Sequence, residues 1–257
     1  MTPLQFTRNI RNLNRLRQIA QVLTRHGFGH FVTRVQLGRF VPVWMLRKRS
    51  AAAATEGGES SVGRRLTLVA SELGPTFIKL GQMLSTRPDI FARGVLKELR
   101  TLQDHVPPFD STEARETIVR ELRRPIEDCF AALDDAPLAS ASIGQVYRAK
   151  GKSGEDLVVK VRRPGIEDVI RLDMQVLHWL AESLESLAPE LQVYRPTVLV
   201  AELEQALTRE LDYVHEASTT SRFAEAFGDD PGIRIPKVHW ELTTRKVLTL
   251  EALHGDK

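Results

Sequence analysis

The sequence contains one cysteine, Cys129, so an intramolecular disulfide cannot form and a reducing compartment is expected. Its apolar runs reach only about seven residues, well short of the ~20 that a membrane-spanning helix requires. The N-terminus shows no compact apolar segment of the kind that a secretory signal needs. Because 42% of the residues are hydrophobic and 27% are charged, the composition predicts an ordinary globular protein.

Acidic residues are missing from the first 55 positions, which carry ten Lys/Arg, whereas the remainder has 26 Lys/Arg against 33 Asp/Glu. Aromatic and aliphatic residues are interleaved with these charges at a largely helical spacing. This pattern predicts a basic amphipathic N-terminal extension over residues 1–55, followed by a linker over 56–61. Such a surface suits the headgroups of an anionic membrane, but the pattern is also typical of an organellar transit peptide or of a helical layer covering the main domain. Nucleic acid is not an expected partner because no recognition motif accompanies the basic residues.

The middle of the chain has helical periodicity. Apolar residues recur every 3.6 positions from Leu66 to Leu84, with a break or kink expected at Gly74-Pro75. Asp110 is an expected N-cap for a later helix. Helices are predicted over 64–84, 89–104, 111–123, 165–187 and 197–227.

Strand-forming patterns begin near residue 126. The segments VYRA and LVVKV are rich in β-branched residues and are joined by the turn sequence GKSGED. Two further strand candidates, IRIPKVHWE and KVLTLEAL, end the sequence. Together these patterns predict an α+β fold in which a small antiparallel sheet is combined with helices.

A loop of small residues precedes a lysine that lies in a predicted strand. The residues Ala139, Ala141, Gly144 and Val146 form the pattern A-x-A-x-x-G-x-V, which is similar to the kinase pattern G-x-G-x-x-G-x-V. A hairpin with small side chains lets backbone N–H groups approach phosphate oxygens. Lys160, on the next strand, would supply a positive charge to the same phosphates.

A carboxylate is needed to orient this lysine, and kinases place it on the following helix. The sequence alone does not choose among five acidic candidates in the predicted helix 197–227. These candidates are Glu202, Glu204, Glu210, Asp212 and Glu216.

Four segments carry a resemblance to a known family. In order, FIKLGQMLSTRPDI, PLASASIGQVYRA, VVKVRRPGI and ELDYVHEA resemble the UbiB/AarF family of atypical protein-kinase-like proteins. The resemblance covers residues 62–257. It implies a kinase-like N-lobe over 126–257, preceded by a helical extension over 62–125 that contains the K-x-G-Q motif.

The resemblance also implies roles for individual residues. Lys160 would contact the α- and β-phosphates of ATP or ADP, with Glu216 as its partner, and the chain around Glu251 to Leu253 would hold adenine. The implied nucleotide-binding residues are Ala139, Ser140, Ala141, Ser142, Gly144, Val146, Lys160, Glu216, Glu251 and Leu253.

A second set of residues would block access to the site. In the family, an E-x-D motif and the K-x-G-Q helix together occlude the cleft in which a protein substrate would bind. By resemblance, Glu210 and Asp212 match the first motif, and Lys79 and Gln82 match the second.

Two family motifs are absent from these 257 residues, namely the catalytic loop H-x-D-x-H-P-G-N and the metal-binding D-F-G. The resemblance therefore implies no catalytic residue, no ligand for the expected Mg²⁺ and no C-lobe in this sequence. It implies a nucleotide-binding part of an atypical kinase or ATPase linked to ubiquinone or other isoprenoid-lipid metabolism, cytoplasmic and peripheral to the inner face of a membrane. The alternative is a non-enzymatic regulatory module that binds nucleotide, a membrane, the missing C-lobe or a partner protein.

Overall fold

The computed structural model describes residues 10–34, 59–102, 108–187, 189–228, 230–253 and 255. Of the predicted basic extension, only residues 10–34 belong to this set. The predicted linker begins outside the described residues, and its last three positions, 59–61, lie in a helix.

The described helices are α1 (Ile10–Arg25), α2 (Gly29–Arg34), α3 (Glu59–Leu73), α4 (Pro75–Leu84), α5 (Arg93–Leu99), α6 (Ser111–Leu122), α7 (Ile126–Cys129), α8 (Ile166–Leu187), α9 (Pro196–Glu210) and α10 (Tyr213–Phe227). Short 3₁₀ helices cover Pro189–Tyr194 and Trp240–Leu242. The strands are β1 (Ala132–Leu133), β2 (Ala139–Ser140), β3 (Gly144–Lys150), β4 (Asp156–Arg162) and β5 (Val247–Glu251).

The chain divides into two compact units, each made of two separate segments. One, which we call the helical unit, comprises Met1–Gln103 and Asp168–Leu207. The other, which we call the sheet unit, comprises Asp104–Glu167 and Thr208–Lys257. The small antiparallel sheet and its accompanying helices confirm the predicted α+β class.

Helix α1 shows how the amphipathic N-terminal pattern is used. Its apolar residues Leu16, Ile19 and Ala20 are buried in the helical unit, whereas Arg11 and Arg17 are exposed. Burial of this face stabilises the helix by removing hydrocarbon from water. Arg11 and Arg17 therefore lie on the outer surface of a packed helix. No helix in the described part of the chain is long and apolar enough to cross a membrane.

The expected break at Gly74-Pro75 is confirmed. Gly74 separates α3 from α4 and has φ = 96°, a conformation that favours glycine. Pro75 occupies the first turn of α4, where its missing N–H costs no helical hydrogen bond. The predicted helix at 111–123 is confirmed as well, because the Asp110 side chain accepts a hydrogen bond from the Thr112 N–H at its start.

The sheet has the order β1-β3-β4-β5, with β2 also pairing with β3, and all of its pairs are antiparallel. Alternate residues of its two long strands, such as Tyr147 and Val159, point into one apolar core together with Ile118 of α6. This alternation leaves the intervening residues of β3 and β4 on the opposite face. That second face carries Lys160.

Three of the predicted elements are wrong in extent. The predicted helix 197–227 is two helices, because the backbone of Asp212 is extended (φ −109°, ψ 97°) and its side chain caps the second helix. The predicted strand IRIPKVHWE is reduced to a single bridge between Val238 and Leu250. Pro236 lies within that segment and has no N–H with which to extend a ladder. The helix expected at 89–104 is limited to Arg93–Leu99.

Candidate functional site

One row of side chains crosses the second face of the sheet. In the strand register, Ala139 is opposite Val146, Val146 is opposite Lys160, and Lys160 is opposite Leu248. Residues that are directly opposite in neighbouring strands project from the same face. The hairpin of small residues and the lysine, predicted as parts of one site, are therefore adjacent.

Lys160 is held by a carboxylate of α10. Its ammonium Nζ lies 2.7 Å and 3.0 Å from the two carboxylate oxygens of Glu216. The exposed fractions of the two side chains are 27% and 42%, so the pair is accessible to a ligand. The expected pairing of Lys160 with Glu216 is formed, whereas a role of the pair in nucleotide binding stays a prediction.

The aromatic ring of Tyr213 contacts the lysine. Sequence reasoning did not select this residue. The Lys160 Nζ lies 4.9 Å from the centroid of the Tyr213 ring, close enough for a cation–π contact. The ring is fully buried and belongs to α10, one turn before Glu216. The i,i+3 spacing of an aromatic residue and a glutamate in YVHE is the signal that could have identified it.

The start of α10 is fixed by Asp212. Its carboxylate accepts a hydrogen bond of 3.0 Å from the Val214 N–H and lies 3.6 Å from Nε of Arg245. An N-cap of this kind sets where a helix begins and therefore where its later residues point. Asp212 thus positions Glu216, a structural role that is additional to the predicted occlusion.

Gly144 is required by close packing at the base of the hairpin. A Cβ atom at this position would lie 2.4 Å from the Tyr213 hydroxyl and 2.7 Å from the Val161 carbonyl oxygen. The Tyr213 hydroxyl itself is buried and makes no hydrogen bond to the described residues. Burial raises the pKa of this phenol, and the nearby Glu216 carboxylate raises it further, so the group stays neutral.

The loop between β2 and β3 is a tight hairpin. The Ala141 N–H donates to the Gly144 carbonyl, and the Leu138 N–H donates to the Val146 carbonyl. The Ser140 Oγ is buried and makes no hydrogen bond to the described residues, while Ser142 is buried as a whole. Because Ser140 is opposite Gln145 in the register, its side chain lies on the face of Tyr147 and not on that of Lys160, and its contact with phosphate stays a prediction.

The predicted adenine-binding segment follows β5. The N–H groups of Glu251 and Ala252 donate to the carbonyls of Lys237 and Asp156, which fixes the path of the chain. A hydrogen bond from Arg234 holds the pKa of the Glu251 carboxyl below its ordinary value. Leu253, the next residue, is exposed. The Glu251 side chain is thus used to hold the protein together, which leaves the backbone as the part that could face a base.

The K-x-G-Q residues are part of the helical unit. The Gln82 amide donates to the Leu102 carbonyl, and a Cβ at Gly81 would come within 2.3 Å of the Leu102 side chain. The glycine and the glutamine of the motif therefore pack against Leu102 and fix its position. Lys79 is half-buried on the same helix.

The predicted occluding residues are divided between the two units. Glu210 and Asp212 belong to the sheet unit, and Lys79 and Gln82 belong to the helical unit. Their joint action stays a prediction.

The described residues contain no group of three or more His, Cys, Asp or Glu side chains that could hold a metal ion. What the site does offer is an accessible ammonium, oriented by a carboxylate and flanked by a hairpin of small residues. This arrangement suits a phosphate-bearing ligand.

Comparison with known proteins gives the family. The ABC1 atypical kinase-like domain matches residues 101–257. A probable protein kinase UbiB from Pseudomonas fluorescens is 42% identical over 195 residues, which are 76% of this chain and 36% of that protein. Its counterpart from Pseudomonas paraeruginosa is 38% identical over 246 residues, which are 94% of this chain and 45% of that protein. An uncharacterised protein of Synechocystis is 44% identical over 189 residues, 72% of this chain and 33% of its own length.

A solved structure also resembles the chain. The Mycobacterium tuberculosis protein Rv3197, in complex with erythromycin, has a TM-score of 0.51 and 29% identity over 73% of this chain and 47% of its own. The chain thus spans less than half the length of these relatives. The small antiparallel sheet with its helices is the N-lobe of a kinase-like fold, and the chain belongs to the ABC1 atypical kinase-like family.

Proposed function

We propose that the sheet unit binds ATP or ADP and that the chain is the nucleotide-binding part of a UbiB-type atypical kinase or ATPase. The observation that carries this proposal is the Lys160–Glu216 ion pair, which lies in register with the hairpin of small residues. A link to ubiquinone or another isoprenoid lipid is proposed because relatives bear the name UbiB.

Each part of the site has a distinct task in this proposal. The Lys160 ammonium neutralises charge on the α- and β-phosphates, and Glu216 keeps the flexible lysine side chain pointed at them. The hairpin 139–144 brings backbone N–H groups close to phosphate oxygens. The chain from Glu251 to Leu253 offers backbone groups to adenine. The affinity is expected to be weak because both charged side chains are partly exposed and solvent screens them.

Replacing Lys160 with methionine is expected to weaken nucleotide binding by about tenfold or more, because a charge-assisted contact to phosphate is lost. Glu216→Gln is expected to weaken binding less, since the lysine remains but is no longer held. Titration with a fluorescent ADP analogue, in the 257-residue chain, measures both changes.

Lys150→Met provides the matched control for this titration. Lys150 lies on the neighbouring strand β3, is 52% exposed and pairs with Asp156 away from the site. Its loss is expected to leave the affinity unchanged. Equal effects of the Lys160 and Lys150 substitutions would show that the nucleotide, if bound, lies elsewhere.

We further propose that these 257 residues alone transfer no phosphoryl group. Such transfer depends on metal ions and on a residue that orients the nucleophile, and the sequence contains neither family motif that supplies them. Phosphate release from ATP is expected to remain at the buffer background. Turnover above background that disappears in Lys160→Met would contradict this expectation.

A second candidate function is a non-enzymatic module that binds an anionic membrane or regulates a partner, including the polypeptide that forms the C-lobe in relatives. The observation in its favour is the excess of ten Lys/Arg over no acidic residue in positions 1–55. Because the apolar face of α1 is buried, exposed cations such as Arg11 and Arg17 would make the contact. Under either function we propose a cytoplasmic location, peripheral to the inner face of a membrane.

A further inference from the structure

The helical unit contains an apolar cavity of about 380 Å³. Helices α1, α3, α4, α8 and α9 all contribute to its lining. The described residues that line it are aliphatic or aromatic apart from Gly81, and the hydroxyl of Tyr194 is their one polar side-chain group. The size lies within the range of ordinary ligand pockets, about 300–1,000 Å³.

The lining of the cavity combines buried and partly exposed side chains. Ile19, Leu99 and Ala181 line it and are 1%, 2% and 2% exposed. Phe31 is the one lining residue among the large exposed hydrophobic side chains, with 37% of its surface accessible. The cavity therefore reaches the surface at Phe31.

The apolar lining favours a hydrocarbon ligand over water. An ordered water molecule needs two to four polar partners, and this lining provides at most one hydroxyl. An unfilled apolar space also costs stability because the side chains around it lose dispersion contacts. A flexible hydrocarbon chain restores those contacts without leaving a polar group unsatisfied.

A cation is next in sequence to one of the lining residues. The guanidinium of Arg65 stacks on the ring of Phe28, 5.3 Å from its centroid, and its Nε is buried with no hydrogen-bond partner among the described residues. Phe28 is three residues before Phe31, and Arg65 directly precedes Leu66, which lines the cavity. An anionic group beside Arg65 would complement this charge.

We propose that the helical unit binds a lipid whose single hydrocarbon chain enters the cavity and whose anionic headgroup lies beside Arg65. This site is formed by residues of the helical unit alone. It does not depend on nucleotide binding in the sheet unit, so Lys160→Met is expected to leave lipid affinity unchanged. A failure of one proposal is thereby distinguishable from a failure of the other.

The cavity is tested with 11-(dansylamino)undecanoic acid, a fluorescent fatty acid, added to the 257-residue chain. Ala181→Leu places three additional carbon atoms in the cavity and is expected to weaken probe binding by about tenfold. Leu199→Phe, at a partly exposed lining position, is a second filling variant in case the first does not fold. Ala206→Leu is the matched control, because Ala206 lies on α9 but does not line the cavity.

Displacement of the probe separates the possible lipids. Oleate and geranylgeranyl phosphate distinguish an acyl from an isoprenyl chain, and displacement by either supports the proposal. Native protein that does not bind the probe, or folded cavity-filling variants that bind it as tightly as Ala206→Leu, would overturn it.

The position of the headgroup is tested by removing the charge of Arg65 and comparing an anionic with a neutral ligand. Arg65→Gln is expected to weaken binding of oleate by about fivefold while leaving neutral oleyl alcohol unaffected. The adjacent Arg64, which is exposed, provides the control Arg64→Gln. If both substitutions reduce oleate binding equally, Arg65 has no specific role and the assignment of the headgroup is wrong.

Discussion

Replacing Asp173 with alanine is expected to lower the free energy of unfolding of the helical unit by about 3 kcal/mol or more. Asp173 is fully buried in α8, and its carboxylate oxygens lie 2.5 Å and 3.0 Å from the guanidinium of Arg15 in α1. Arg15 also donates to the Leu73 carbonyl and stacks over Phe77, with 12% of its side chain exposed. Removal of the carboxylate would leave a charge in this apolar environment without its counter-ion.

The effect is measured by guanidinium denaturation, followed through Trp179 in α8, with Trp44 and Trp240 replaced by phenylalanine. Asp168→Ala is the matched control on the same helix, because Asp168 is 72% exposed and pairs with exposed Arg171. Its loss is expected to change stability by less than about 0.5 kcal/mol. The double replacement Arg15→Met with Asp173→Leu should recover most of the loss, since it removes both charges. Equal destabilisation by the two aspartate variants would refute the argument.

Replacing Gly144 with alanine is expected to destabilise the sheet unit by about 2 kcal/mol, the usual range for overpacking in a core. The added methyl group would collide with the Tyr213 hydroxyl and with the Val161 carbonyl oxygen, and the latter is held in the sheet. Because Tyr213 is part of the support for Lys160, the collision would also disturb the ion pair with Glu216. Weaker nucleotide binding should therefore accompany the lower stability.

A second substitution identifies the cause. Tyr213→Phe removes a hydroxyl that has no hydrogen-bond partner among the described residues, so alone it should be nearly neutral. In combination with Gly144→Ala it should restore about half of the lost stability, because one of the two collisions disappears. Trp240, in the sheet unit, is the fluorescent reporter. A double variant no more stable than Gly144→Ala would place the damage at the Val161 backbone instead.

Local sequence signals predicted the parts of the fold that depend on neighbouring residues. The cap at Asp110, the break at Gly74-Pro75 and the β-branched strand containing Lys160 each involve contacts or periodicities within a few positions. The register of Ala139, Val146 and Lys160 was implied by a motif spacing, and the strand pairing confirms that they are adjacent. Glu216 was one of five acidic candidates until the family resemblance selected it.

Other features could not be predicted because they depend on residues far apart in the chain. Arg15 and Asp173 are 158 positions apart, and neither lies in a motif. The strand expected at IRIPKVHWE satisfied the β-branched pattern, but Pro236 and the bridge at Val238 limit it to one pairing. The cavity of the helical unit depends on how several amphipathic helices pack, and each helix alone shows only an ordinary apolar face.

Because each unit consists of two separate segments, the point during translation at which each unit can fold is determined by its second segment. The helical unit is incomplete until Leu207 has been made, and the sheet unit is incomplete until β5, because Val161 in β4 pairs with Val247. The helical unit cannot fold fully until residues 104–167 of the sheet unit have been made, and the sheet unit cannot fold fully until the whole helical unit has been made. Domains that follow one another along a chain do not have this dependence. Such non-local pairing slows folding because the entropy of loop closure is lost before the stabilising contacts form. A truncated chain that begins after Gln103 would therefore lack most of the helical unit. It would retain α8 and α9 as an insertion in the sheet unit, without the helices that they pack against.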